Sequence, residues 1–352
     1  MKKKFSELTD NISFEESLHN QWIENVDKEI EELEHLKFNC YPYPTNIKRK
    51  DTEIPIKYGK ELFPLFNCIN IETTSWCNMN CPFCPSIYIN REKRNMKNDL
   101  FINIAKELSK MQYTGEIRLH QSNEPLTDKH IFSKIKYMKL LNPKAIVGIH
   151  SNTILLNYKK LVKLYKSGLN FMAAEAYKSE AQFDTLYEMF LKLEKEYDNV
   201  ILHTQDKNGT YSFTNIKQNN YKNKGLFITL SRRYPKTNDD KFFNYNKSKI
   251  TSRIGVVESN MHCKNSNICT RPFRTMQVNF NGKTVVCCEE WLYGDGAIIG
   301  DLNKNSIVEI WNGLPIMKFR YNLQNKNRNT YPCNKCNFPG GIFTKMIRKI
   351  EL

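Results

Sequence analysis

Cys77, Cys81 and Cys84 stand at C-x3-C-x2-C spacing directly after a strand-like run, Ile69-Asn70-Ile71-Glu72-Thr73-Thr74-Ser75-Trp76, and Pro85 closes the stretch. A strand followed by a tight loop can turn three sulfurs toward one point. Four thiolates would close the shell of a 4Fe–4S cluster, whereas three leave one iron open to a substrate or cofactor. A structural zinc site takes four ligands, usually from paired C-x2-C units, and three cysteines at uneven spacing do not supply that. The loop therefore calls for a fold that delivers a strand end to a cavity.

The rest of the chain offers such a fold. Between residues 67 and 233, apolar β-type runs alternate with helical patterns. The strands are predicted over 70–76, 116–121, 145–152, 170–176, 200–205 and 226–232, and the helices over 100–112, 130–141, 157–167 and 179–197. This alternation predicts a parallel sheet with helices outside it. Six β/α units are too few for a closed eight-strand barrel. The expected class is α/β, an open six-unit (β/α) partial barrel, followed by a small C-terminal hairpin-plus-helix domain. The expected domains are an N-terminal extension over 1–66, the barrel over 67–235, a linker over 236–262 and the C-terminal domain over 263–352. In the extension, Leu18, Trp22, Ile23, Val26, Ile30, Leu33 and Leu36 recur at helical spacing and predict one amphipathic helix over 14–38.

Eleven cysteines could suggest a disulfide scaffold, but most cluster at metal-ligand spacings, which fits a reducing cytoplasm. Met1-Lys2-Lys3-Lys4 opens no apolar signal segment. No apolar run reaches the roughly 18 residues that a membrane span needs. The formal charge of +16 permits an acidic partner, yet the lysines are scattered and no block of five or more basic residues occurs. A lysine-rich surface accounts for that pattern, and a nucleic-acid partner is not expected.

The cluster loop, with Phe83 just before its third cysteine, resembles that of the radical S-adenosylmethionine (radical SAM) enzymes. The partial barrel is also the core of that family. The resemblance implies that Cys77, Cys81 and Cys84 hold a 4Fe–4S cluster whose open iron chelates the amine and carboxylate of S-adenosylmethionine. Reductive cleavage then yields a 5′-deoxyadenosyl radical that takes a hydrogen atom from the substrate. Asn123-Glu124-Pro125 resembles the family's Gly-Glu-Pro motif, with Asn123 in place of the glycine, and implies Glu124 as the partner of the amino group. Ser151 and Asn152, at the end of the third strand, resemble the segment that contacts the ribose and carboxylate. Ala173-Ala174-Glu175 departs from the serine and acidic residue that relatives often have. His150 and His203 lie near strand ends. No acid or base is assigned from the sequence.

A second constellation begins at Cys269. Met276–Phe280 and Lys283–Cys287 read as a hairpin around Asn281-Gly282, expected as a type I′ turn. Gly282 and Cys287 form G-x4-C, residues 306–311 read as a short helix, and Cys333 and Cys336 form C-x2-C. This pattern resembles the SPASM/twitch auxiliary-cluster domain over 269–338. It implies Cys269, Cys287, Cys333 and Cys336 as ligands of a second 4Fe–4S cluster, for which a four-thiolate zinc is the alternative. Cys288 would point to the other face of an extended strand and reads as a spare. Ser252-Arg253-Ile254-Gly255 resembles a stretch that precedes this domain in relatives and implies Arg253 as a contact for S-adenosylmethionine or a substrate carboxylate.

The resemblance implies an oxidoreductase with a small-molecule or peptide substrate and an electron donor such as flavodoxin or ferredoxin. The four-cysteine arrangement is similar to that of a short-form branch of the family that oxidises cyclitols. The expected reaction is therefore oxidation of a hydroxyl carbon on a sugar or cyclitol. The alternative is maturation of a ribosomally made peptide by thioether formation, carbon–carbon bond formation or epimerisation.

Overall fold

The computed structural model describes residues 65–81, 83–205, 211–213, 225–233, 251–259, 268–292 and 294–338. The helix expected over 14–38, Cys40, Cys263 and most of the 236–262 linker lie outside these residues. Along the chain come β1 (Cys68–Ile71), α1 (Asn98–Lys110), β2 (Glu116–Arg118), α2 (Ile131–Leu141), β3 (Ile146–Ser151), α3 (Tyr158–Lys166), β4 (Phe171–Ala176), α4 (Glu180–Glu196), β5 (Val200–Gln205), β6 (Tyr211–Phe213) and β7 (Leu226–Arg232). They are followed by α5 (Arg271–Arg274), β8 (Thr275–Val278), β9 (Lys283–Val285), β10 (Ile298–Asp301), α6 (Ile307–Trp311) and α7 (Leu314–Gln324). The fold is mixed α/β with a parallel sheet, as the alternation predicts.

The described residues form two compact units. One comprises 108–119 and 124–233, and the other 65–107, 120–123 and 251–338. In the first, β2 pairs with β3, β3 with β4, β4 with β7 and β7 with β5, all parallel, and β6 adds an antiparallel edge to β5. The order β4-β7-β5 departs from chain order. Alternation along the strands separates two faces. Val147, Ile149, Met172, Ala174, Ile228 and Leu230 are fully buried, while His150, Glu175 and Thr229 keep partial access. Helix α4 presents Phe183, Leu186, Phe190 and Leu193 as one buried stripe. At about 1.5–3 kcal/mol per buried apolar side chain, that stripe outweighs the helix's Ser179 cap, worth about 1 kcal/mol.

In the second unit, β8 runs parallel to β1 with Cys68 opposite Thr275, and β9 and β10 follow antiparallel. The unit thus cuts across the boundaries expected from sequence, because the C-terminal hairpin takes the cluster-loop strand as its partner. The hairpin turn also differs from the expected type I′. Gly282 N donates to Asn279 O at 2.9 Å, and Gly282 alone of the Asn281–Gly282 pair has positive φ, +89°. A turn over 279–282 that ends in a left-handed glycine replaces the two-residue turn. A Cβ on Gly282 would stand 2.4 Å from Asn303 Nδ2, which donates to Asn281 O and Asp301 Oδ1. Helix α7 was not expected from sequence. Its Arg320 is fully buried, donates to Pro272 O and Trp311 O, and lies over the Trp311 ring.

Candidate functional site

The cluster loop hangs from the end of β1. Ser75 Oγ donates to Glu92 O at 2.6 Å and accepts from Arg94 N at 2.7 Å, which draws the chain after the loop back onto the chain before it. Inside the loop, Cys84 N donates to Cys81 O at 2.9 Å, a tight turn that brings the last two cysteines together. Cys77, Cys81, Phe83 and Cys84 are all half-buried, so the sulfurs remain accessible to a ligand. Beneath the loop lies a pair that the sequence reading missed. Arg91 Nη2 stands 2.8 and 2.7 Å from the two oxygens of Glu72, with side-chain exposures of 5% and 0%. Glu72 also accepts from Phe280 N, and Arg91 donates to Ser122 O. An acidic residue at the tail of an otherwise apolar strand was the available signal, since such a group is buried only with a partner.

In the other unit, Glu124 is buried and gathers three donors. Oε1 accepts from Leu126 N at 3.0 Å and Ser151 Oγ at 2.8 Å, and Oε2 accepts from Asn152 N at 2.7 Å. Burial pushes its carboxyl above the usual carboxylate range, and the three donors pull against that shift. The structure therefore brings Glu124, Ser151 and Asn152 into one group at the C-terminal end of β3, where the sequence reading had placed three separate contacts. Asn152 Oδ1 accepts from Ile154 N. Thr153, with φ 59°, donates to Asn152 O and Glu175 O. Glu175 itself holds Tyr177 Oη and Arg233. His150 stands edge-on to Phe171, and His203 stacks on Phe227. Burial and the nearby Arg118 guanidinium lower the His150 pKa to about 4.

The C-terminal cysteines converge. Cys269, Cys287, Cys333 and Cys336 line one pocket, together with Arg271, Arg328 and Glu289. The adjacent Cys288 is not among its lining residues. Burial raises all four thiols, Cys333 to about 12 and Cys336 to about 11. One buried and three half-buried thiols with raised pKa values suit a site that a metal centre completes, because bound iron would favour the thiolates. Among the described residues no three His, Cys, Asp or Glu side chains close around a single ion. Glu289 is almost fully buried and accepts from Thr251 Oγ1, Arg271 Nη1 and, at 3.0 Å, Arg253 Nη1. These bonds outweigh its burial and hold the carboxyl below the usual range. Arg253, expected to meet a cofactor or substrate carboxylate, here meets Glu289. The sequence reading passed over both Glu289 and Arg271, although each lies two residues from a proposed ligand.

The Radical SAM superfamily model matches residues 71–174, and the SPASM iron–sulfur cluster-binding domain model matches 269–337. A curated relative, the S-adenosyl-L-methionine-dependent 2-deoxy-scyllo-inosamine dehydrogenase of Niallia circulans, is 21% identical over 277 residues, which span 78% of this chain and 93% of the relative. The crystal structure of BtrN in complex with AdoMet and 2-DOIA covers 82% of this chain and 100% of its own, at 19% identity and a TM-score of 0.58. Selenomethionine BtrN in an open conformation covers 78% and 94%, also at 19% identity, with a TM-score of 0.50. At these identities the structural likeness speaks to fold, and the two domain models speak to the cysteine-bearing segments. The chain thus carries a radical SAM domain over residues 71–174 and a SPASM iron–sulfur cluster-binding domain over 269–337.

Proposed function

We propose that this protein is a radical SAM oxidoreductase that oxidises a hydroxyl carbon of a sugar or cyclitol. The observation that carries the reading is the pocket of four cysteine thiols in the C-terminal unit. Four thiolates fill every iron of a cube and leave none open for substrate, so electron uptake is the role left to that centre. When bound, the two 4Fe–4S clusters and S-adenosylmethionine supply a 5′-deoxyadenosyl radical for hydrogen abstraction and a sink for one further electron. Similarity to the 2-deoxy-scyllo-inosamine dehydrogenase over most of both chains supports the substrate class.

The chain's own residues bind and orient. Cys77, Cys81 and Cys84 would hold the first cluster, and Phe83 would border it. Ser151 and Asn152 would hold S-adenosylmethionine, with Glu124 fixing both from beneath as well as offering its charge. Cys269, Cys287, Cys333 and Cys336 would hold the second cluster. Among the described residues no helix is long and apolar enough to cross a membrane. A cytoplasmic site, a flavodoxin or ferredoxin as donor and the absence of a nucleic-acid role belong to the same proposal.

The test is coupling. Wild-type protein given S-adenosylmethionine, dithionite and an aminocyclitol should form about one ketone per 5′-deoxyadenosine. Folded Cys336→Ala should still release 5′-deoxyadenosine but form little ketone. Wild-type ketone yield in a variant shown to lack the second cluster would overturn the electron-sink role. Turnover of a short peptide in place of every cyclitol offered would favour the maturase.

A further inference from the structure

Arg271 does more than pack beside the second set of cysteines. It lies two residues after Cys269, and its backbone N–H reaches the Cys269 thiol. Its guanidinium interacts electrostatically with Cys287 and Cys288 and donates to Glu289. The same guanidinium lies 3.7 Å from the ring centre of Phe338, whose own N–H donates to Cys336 Sγ at 3.4 Å. One side chain is thus fixed against both halves of the pocket. Arg253 approaches Glu289 from the opposite chain segment at 3.0 Å. Two guanidinium groups facing one carboxylate leave one net positive charge beside the four cysteines, and Arg328, which also lines the pocket, adds a second.

Fixed charge next to a cluster sets its reduction potential. A cation favours the reduced, more negative form, and an anion opposes it. The effect is strong where burial keeps water from screening it. Arg271 side-chain exposure is 24% and that of Glu289 is 1%.

We propose that Arg271 and Glu289 act as an opposed pair of positioning residues that sets the reduction potential of the second cluster, Arg271 raising it and Glu289 holding it down. The inference rests on the reading of the four cysteines as a cluster site. A purely structural pair would behave differently, since removing either partner would loosen the pocket in the same way. An electrostatic pair demands shifts of opposite sign.

The experiment is a redox titration of the full, reconstituted chain, followed by electron paramagnetic resonance. The second-cluster wave is the one that persists in Cys77→Ala. Arg271→Gln should lower its potential by at least tenfold in the reduction equilibrium, about 59 mV for one electron. Glu289→Gln should raise it by a similar factor, and the first-cluster wave should stay in place in both. Arg271→Lys, which keeps the charge, should retain most of the wild-type value, and it decides the matter if Glu289→Gln fails to load iron. Shifts of the same sign, no shift, or a lysine variant that behaves like the glutamine would overturn the proposal. Wild-type protein with a single wave would instead overturn the cluster reading beneath it, and with it the proposal.

Discussion

Replacing Glu72 with glutamine should be among the costliest single changes in the cluster-loop unit. The carboxylate is fully buried, and one guanidinium nitrogen of Arg91 bridges both of its oxygens at 2.7 and 2.8 Å. Glutamine keeps the shape and can still accept from Phe280 N, so the change isolates the charge. A buried guanidinium that loses its anion costs about 3–5 kcal/mol. Domain stability is typically about 5–15 kcal/mol, so the loss should be large. The two residues are 19 positions apart and close the base of the loop that carries Cys77, Cys81 and Cys84, which should make loop and iron fail together. Arg94–Glu92 is the internal control. It is equally short, at 2.6 Å, but its side chains are 70% and 53% exposed, and Arg94→Gln should cost at most about 1 kcal/mol. Anaerobic urea unfolding with iron assay measures both. Replacing Glu72 and Arg91 together with methionine should recover most of the stability, because the unbalanced charge goes with its partner. A Glu72→Gln cost below about 1 kcal/mol, or a double variant worse than the single one, would show that the buried guanidinium does not depend on its anion.

Gly282→Ala should destabilise the hairpin by about 1 kcal/mol or more and weaken iron binding, since φ is +89° and the new Cβ meets Asn303; unchanged thermal unfolding would contradict this. Cys77→Ala should remove about half of the roughly 8 irons of two four-iron clusters, whereas zinc in place of the remaining iron would contradict the second cluster. His150 titrates in the unfolded chain near 6.5 and in the folded chain near 4, so its contribution to stability is full above pH 6.5 and is lost as pH falls through that window. By pH 5 the loss is about 2 kcal/mol, and His150→Phe should flatten the pH dependence of urea unfolding by that amount.

The strands of the first unit were legible because β-branched runs and helical stripes alternate cleanly. The predicted strands 200–205 and 226–232 match β5 and β7 end for end. Strand order was not legible, because nothing local to either segment says that β7 inserts between β4 and β5. Helix α7 escaped notice for a similar reason. Its Arg320, a charged residue on paper, is a core residue held by Trp311 and Pro272 from elsewhere in the chain. The spacing of the C-terminal cysteines singled out four that the fold brings to one pocket. The charges near the cysteines were not legible, since Glu72, Arg91, Arg271 and Glu289 resemble any surface ion until the fold buries them together. The Asn281-Gly282 pair fixed the place of a turn and misled on its type, which depends on the register of β8 against β9.

The most direct measurement uses substrate labelled at the reacting carbon. 2-Deoxy-scyllo-inosamine and related aminocyclitols, deuterated at each carbinol carbon in turn, are incubated anaerobically with the reconstituted protein, S-adenosylmethionine and dithionite. Deuterium is expected in 5′-deoxyadenosine from one position only, with a ketone formed at that same carbon. 5′-Deoxyadenosine that stays unlabelled from every carbinol carbon, or label transfer that leaves the alcohol intact, would contradict oxidation at a hydroxyl carbon.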